Sequence, residues 1–296
     1  MVSQVYYRPT MVAMIPFLHI GALAIPTFGL MVATAMLVAY FVLRSDLRRR
    51  AIDAEAETLV AIPSIAGMIG AKLYHLLEAP REFFAHPLAL LFSSYGFAWF
   101  GGLIAGIAAF VYLGRKFKIP TLLLFDIGSP ACALGYGIGR IGCLLSGDGD
   151  YGIPTSLPWG MSFPNGLVPT AERVHPTPIY ELLAAIAIAW FLWKVGAATA
   201  RASSQAARAR GKNAPAAIEP QGGLFGVHRP GFVFAMFLVT TGAARFLVEF
   251  IRINPRSFFG MTNAQTASAA SIILGLALLW HLRAPAAESA SVNRTA

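Results

Sequence analysis

Arg140 ends a long apolar stretch, in the run Gly135-Tyr136-Gly137-Ile138-Gly139-Arg140-Ile141-Gly142-Cys143. A guanidinium stays charged in nearly any protein environment, and placing one near hydrocarbon costs several kcal/mol. Glycines at alternate positions strip the helix surface around it, so another group can approach the backbone closely. Short polar residues follow, Ser146-Gly147-Asp148-Gly149-Asp150-Tyr151-Gly152. A buried cation beside a turning polar loop is suited to gripping an anionic group at a membrane surface.

A second constellation is Arg245, Glu249 and Arg252. Spacings of four and three place them on one face of a helix. There Glu249 can orient Arg245 so that its free donors meet a phosphate in a two-pronged way. A third is His175-Pro176-Thr177-Pro178-Ile179-Tyr180-Glu181, where proline in the first turn suits a helix start and His175 can titrate near neutral pH as a base. The same residues also serve as a cap and packing motif anchored by Tyr180 and Glu181. Lys72 again follows small residues, Gly67-Met68-Ile69-Gly70-Ala71-Lys72. It is a candidate third phosphate contact, or a partner for Asp126 or Glu181.

The elements that carry these residues belong to a membrane protein. Mean hydropathy is +0.62; 56% of residues are hydrophobic and only 12% charged, against roughly 25% charged in globular chains. Seven stretches approach the roughly 20 apolar residues that cross hydrocarbon: Pro26–Arg44, Leu59–Glu78, Phe97–Gly114, Thr121–Ile141, Thr177–Val195, Pro230–Phe250 and Gln265–Leu282. Fifteen Lys and Arg residues fall on one side of these spans. Five fall on the other, Arg8, Arg81, Arg173, Arg252 and Arg256, which puts the N-terminus outside and the C-terminus in the cytoplasm. The net charge of +9 is thus mostly a topology signal, with attraction to anionic inner-leaflet lipid as a by-product. It does not point to nucleic acid. Three cations remain inside spans: Lys72, Arg140 and Arg245.

The predicted fold is an all-α, seven-transmembrane-helix bundle with a small extracytoplasmic head or lid. Residues 1–25 form an outer-face arm, 26–283 the membrane domain and 284–296 a disordered cytoplasmic tail. Within the membrane domain, 142–176 is the head loop and 198–221 a flexible cytoplasmic linker rich in Ala, Arg, Ser and Pro. The two cysteines, Cys132 and Cys143, have no metal-ligand spacing, and the six histidines are scattered. No metal and no cofactor are expected.

At these residues the chain resembles the bacterial prolipoprotein diacylglyceryl transferases. Gly139-Arg140-Ile141-Gly142-Cys143-Leu144, Ser146-Gly147-Asp148 and Gly152 follow the family's signature, with Asp126 and Pro130 upstream. His175 to Glu181 and the Arg245/Glu249/Arg252 face resemble two further elements. Weaker matches are Phe28-Gly29-Leu30, Lys72 in place of an arginine, and Gly101-Gly102. Motif order and spans agree over most of the chain. The resemblance implies transfer of diacylglycerol from phosphatidylglycerol to the lipobox cysteine thiol of a prolipoprotein, releasing glycerol-1-phosphate. It also implies a multi-pass protein of the bacterial cytoplasmic (inner) membrane, whose partners are the bilayer, that lipid and the prolipoprotein signal peptide. Arg140 and Arg245 would be catalytic, with His175 and Asp148. Lys72, Gly142, Ser146, Gly152, Tyr180, Glu181, Glu249 and Arg252 would join the two arginines in binding substrate.

The departures are specific. Phe100 stands where the family has a histidine before Gly-Gly, Cys143 where it has the signature asparagine, and Thr241 where it has a tyrosine. Phosphate-gripping residues are kept, whereas proton-transfer residues are lost. Proton removal then falls to His175, Asp148, Asp150 or water. Two other readings stay open: a relative acting on another acceptor, and a non-catalytic binder of anionic lipid.

Overall fold

The computed structural model describes residues 15–21, 23–78, 80–93, 96–210 and 228–283. Seven long helices dominate: α1 (Thr27–Arg49), α2 (Ala56–Glu78), α3 (Trp99–Lys116), α4 (Thr121–Ser146), α5 (Thr177–Val195), α6 (Phe232–Val248) and α7 (Asn263–Arg283). Among the described residues, six segments are long and apolar enough to cross a membrane: α1, α2, α4, α6, α7 and the stretch that begins with α5. The 18-residue α3 ends on Arg115 and Lys116 and is not among them. Large apolar side chains point outward, among them Leu37, Phe41, Leu183, Trp190 and Trp280. In water such a surface would drive aggregation; against lipid tails it costs nothing.

Close helix contact comes from small residues. A Cβ on Gly70 of α2 would lie 2.6 Å from the carbonyl oxygen of Gly101 on α3, so the two backbones touch. The main apolar core lies at the end of the bundle opposite Arg140, where Leu43, Leu47, Leu59, Leu113, Leu124 and Ile127 are buried together. There Arg49 and Arg50 share Asp46, at 2.5 and 2.9 Å. Arg49 donates to the Trp193 carbonyl at 3.1 Å, covering the carbonyl-rich C-terminus of α5 with positive charge. Asp126 of α4 accepts from the backbone N–H groups of Gly231 and Phe234, both at 2.7 Å. It thereby satisfies orphan donors at the start of α6. At the other end of the bundle α7 opens with a capping box, Thr262 and Gln265 bonding reciprocally at 3.1 Å.

Three small hairpins decorate the Arg140 end: β1 (Phe17–Ile20) with β2 (Leu23–Pro26), β3 (Met161–Phe163) with β4 (Thr170–Val174), and β5 (Arg256–Phe258) with β6 (Met261–Thr262). The first is tied to α4 through Ile15 N–H and the Leu145 carbonyl, 3.1 Å; the rest of the expected 1–25 arm, 1–14, lies outside the described residues. The second forms a small head with its own core of Tyr151, Phe163 and Val174. This head starts at Gly147 rather than Gly142, because α4 continues to Ser146 before Gly147 closes it in a left-handed conformation (φ 58°).

Two further segments complete the described chain. Two short helices, Pro80–Ala85 and Pro87–Leu91, follow α2. Of the linker expected over 198–221, the first part is a helix, Ala197–Arg210, since Ala and Arg are among the strongest helix formers. The remainder of that linker and the tail from 284 lie outside the described residues.

Candidate functional site

The last turns of α4, the loop after it, the first turns of α5 and the end of α6 converge on one charged cluster. Helical spacing puts Tyr136 one turn before Arg140, so the guanidinium lies over its ring, 4.8 Å from the centroid. Arg140 Nη1 donates to Asp150, and its Nε lies 3.5 Å from Glu181. Arg252 repeats the pattern: Nη2 donates to the other oxygen of Asp150 and Nη1 to Glu181 at 3.3 Å. Arg245 donates to Glu181 at 2.8 Å and pairs with Glu249 at 2.9 Å. Glu181 also accepts from the Tyr136 hydroxyl. One carboxylate therefore meets three arginines that come from two helices and a loop.

The side chains of Glu181 and Glu249 are 4% and 0% exposed, whereas Asp150 is 30% exposed. Two of the three carboxylates are thus fixed parts of the scaffold, and the third borders open space. Its electrostatics follow. Burial pushes the Asp150 carboxyl up, but Arg252 and Arg140 outweigh it and hold it below the ordinary carboxylate value. Asp148 is raised, first by burial and then by the charge of Asp150. Its side chain accepts from Asp150 N–H at 3.2 Å.

Sequence reasoning placed Arg245, Glu249 and Arg252 on one helix face. The structure keeps all three together, Glu249 lying 2.9 Å from Arg245 and 3.7 Å from Arg252, although α6 ends at Val248. A 3₁₀ turn over 249–251 delivers Arg252 on extended backbone (φ −84°, ψ 156°). Gly152 explains that placement: it bridges to Arg252 as an antiparallel pair, and a Cβ there would lie 2.5 Å from the Ile251 carbonyl and 2.9 Å from His175 Cβ. Gly142 packs instead on α1, where a Cβ would meet Phe28 at 3.0 Å. Ser146 is buried and donates back to the Cys143 carbonyl at 3.2 Å.

His175 and Tyr180 form a separate contact, Nδ1 to the hydroxyl at 3.2 Å, with Trp159 Nε1 donating to that hydroxyl at 2.7 Å. Tyr180 and Glu181, adjacent in sequence, thus serve different sets. Lys72 does not take up the expected ion pair with Asp126 or Glu181. It donates to Ser93 at 2.7 and 3.0 Å and lies 5.1 Å from the Phe97 ring centroid. The reason is architectural: Lys72 stands on the α2–α3 pair, while Asp126 caps α6 at the far end.

Sequence reasoning missed Tyr136 and the bridging position of Asp150. Tyr136 was detectable from its four-residue spacing to Arg140. The bridge was not, because it depends on a loop meeting residues a hundred positions away. The atoms of Cys143, Asp148 and Asp150 able to hold a cation lie within 4.8 Å of one another. Arg140 already supplies positive charge there, 3.5 Å from Cys143 Sγ and bonded to Asp150, so no metal is assigned.

A bundle of long apolar helices with three arginines and three carboxylates clustered at one end defines a multi-pass membrane protein. The family model described as prolipoprotein diacylglyceryl transferase matches residues 16–211 and 221–281. The chain belongs to that family. Relatives named phosphatidylglycerol–prolipoprotein diacylglyceryl transferase include one from Geobacter sulfurreducens, 31% identical over 88% of this chain and 92% of its own length. Another, from Clostridium tetani, is 30% identical over 84% of this chain and 90% of its own. A third, from Bordetella avium, is 30% identical over 82% and 83%.

Proposed function

We propose that this protein transfers the diacylglyceryl group of phosphatidylglycerol to the lipobox cysteine thiol of a prolipoprotein, releasing glycerol-1-phosphate. The observation that carries this is the joint reach of Arg140 and Arg252 to a single two-oxygen acceptor, Asp150, backed by Arg245. Two guanidiniums that share one carboxylate can share two oxygens of one phosphate in the same way.

In the reaction the sulfur bonds to the glyceryl carbon that carries the phosphate. The carbon–oxygen bond breaks, and its electron pair leaves on the phosphate. Charge grows on that phosphate as the bond breaks, so fixed guanidinium donors stabilise the transition state more than the bound lipid. Glu181 and Glu249 hold the guanidiniums in place beforehand, so little reorganisation is left for the moment of reaction. Lys72, Gly142, Ser146, Gly152 and Tyr180 complete the substrate-binding set proposed here. On the structure Gly142, Ser146 and Gly152 act through helix and loop packing, and Tyr180 through His175 and Trp159.

The supporting orientation has seven spans, α3 included, in a bacterial cytoplasmic membrane. The N-terminus and the small head face outward and the C-terminus lies in the cytoplasm, so the arginine cluster meets the outer leaflet. Purified protein, given phosphatidylglycerol and a synthetic lipobox peptide, should form a thioether product detectable by mass spectrometry. Lipid that binds without any covalent product would reject the transferase reading in favour of a lipid-binding protein.

A further inference from the structure

Asp150 is unlike the other two carboxylates of the cluster. Its side chain is 30% exposed against 4% and 0%, and its two oxygens each bind a different arginine. Its loop turns through Gly147 and Gly149 at φ of 58° and 93°, conformations that cost glycine nothing. The backbone at Asp150 is pinned, because Thr177 Oγ1 donates to its carbonyl at 2.7 Å. The carboxylate can therefore turn away from the arginines while its backbone stays in place.

Charge balance gives a reason for it to turn. Three arginines face three carboxylates in the cluster, so an added phosphate would leave surplus negative charge unless one carboxylate withdrew. The only one bordering open space is Asp150.

We propose that Asp150 is a place-holder for the substrate phosphate, displaced when the lipid binds and then free to take the proton of the attacking thiol. The proposal rests on the diacylglyceryl-transfer reading. Phosphate oxygens replace the Asp150 oxygens on Arg140 Nη1 and Arg252 Nη2. While it is bound to the arginines, the carboxylate already has Asp148 and Cys143 as near neighbours, their ligating atoms all within 4.8 Å, so a short turn suffices to meet the thiol. Loss of the arginines and repulsion from Asp148 both raise its proton affinity. The thiol proton passes to Asp150, the sulfur–carbon bond forms, and the carbon–oxygen bond breaks with its electron pair on the glycerol phosphate. The proton ends on Asp150, which gives it up to the departing phosphate or to water, and the carboxylate is restored for the next turnover. Lipid binding itself thus uncovers the base, in a chain where Phe100 stands at the position of the family's histidine.

The test compares the full-length wild-type protein with Asp150→Asn and Asp150→Glu. Binding of phosphatidylglycerol in nanodiscs and transfer to a lipobox peptide are measured separately. Asp150→Asn should bind the lipid several-fold more tightly, since a neutral amide competes less for the arginines. Its kcat should fall by about 10²-fold or more, the usual contribution of a positioned base. Weaker binding by Asp150→Asn, or turnover at the wild-type rate, overturns the proposal. Asp150→Glu keeps a carboxylate within reach of both guanidiniums and so holds the cluster together if the amide does not. It should retain turnover within about tenfold, and a loss as deep as that of Arg140→Ala also overturns the proposal. Wild-type binding without any turnover defeats the transfer reading instead; the ratio of Asp150→Asn to wild-type binding then still decides whether Asp150 holds the phosphate's place.

Discussion

Gly152 pairs with Arg252 across an antiparallel bridge, and this contact locks the loop that carries Asp150 to the segment that follows α6. The bridge leaves no room for a side chain, with the Ile251 carbonyl 2.5 Å from where a Cβ would stand. Gly152→Ala should therefore push Arg252 outward without unfolding the bundle, whose main core lies at the other end. A displacement of about 1 Å at a reacting group costs on the order of 10²-fold in rate. Transfer assays on Gly152→Ala should show that loss with a melting temperature lowered less than by Glu181→Ala, which strips a partner from all three arginines; normal activity would mean the bridge does not position Arg252.

Glu181 is the point on which three arginines depend. Its side chain is 4% exposed, and removing it leaves three guanidiniums short of a partner. Breaking a buried pair by removing one member typically costs about 3–5 kcal/mol. Glu181→Ala should lower the melting temperature in detergent markedly, and Glu181→Gln less, since the amide oxygen still accepts one bond. Equal, small effects would show that Asp150 and Glu249 alone hold the arginines.

Arg140 differs from Glu181 in exposure, its side chain 18% exposed against 4%. Arg140→Ala should leave the protein inserted and folded while reducing lipid turnover by about 10²–10³-fold, the range seen when one fixed donor to a developing anion is removed. Arg140→Lys should recover only part of the loss, because an ammonium cannot hold Asp150 or phosphate and Glu181 through one planar fork. If unfolding accounts for the whole loss, the arginine is structural.

Much of this was legible in the sequence, for reasons that can be stated residue by residue. Long apolar stretches reveal helices because length and composition are local properties, and the helix ends came within a few residues. Arg140 stood out because a charge inside such a stretch needs a reason. Arg245 and Glu249 were readable from their spacing. So was the closeness of Arg252 to Glu249; its reach to Asp150 and Glu181 was not, since a 3₁₀ turn and a bridge to Gly152, both set by tertiary contact, decide where its far end points. The Ser93 partner of Lys72 was not legible, because position in a span says nothing about which helix pair a residue joins. The role of Asp150 depends on α4, its loop and the end of α6 meeting, which no local pattern records.

The two loop carboxyls should respond oppositely to pH. Asp150 is held below the ordinary carboxylate value of about 3.9, since Arg252 and Arg140 outweigh its burial. Its contribution to stability is present above that value and lost as pH falls through its lowered folded value. Asp148 is raised by burial and by Asp150. Its contribution is present below the ordinary value and lost as pH rises through its raised folded value. Asp148→Asn should therefore raise the melting temperature at neutral pH, with the gain vanishing in acid. Asp150→Asn should lower the melting temperature at neutral pH, and that deficit should shrink in acid. Thermal unfolding of both variants at neutral pH and near pH 3 checks the signs, and the same direction for both at neutral pH would contradict the assignment.

Phe100 gives the sharpest test of where the thiol proton goes. It lies in the first turn of α3, is 57% exposed, and has its ring 5.3 Å from that of Trp99. Gly101 beside it is packed against Gly70 and Tyr74 of α2, so the backbone is fixed and a histidine could be introduced without disturbing the helix pair. If Asp150 already accepts the proton, Phe100→His has no vacant role to fill. Its kcat should then stay within about threefold of wild type, since a redundant base adds little. A rise of about 10²-fold would instead show that the chain lacks a working base and that position 100 can supply one. Combining Phe100→His with Asp150→Asn separates these outcomes: recovery of the lost turnover places the new imidazole beside the thiol, whereas no recovery leaves the proton with the α4 loop.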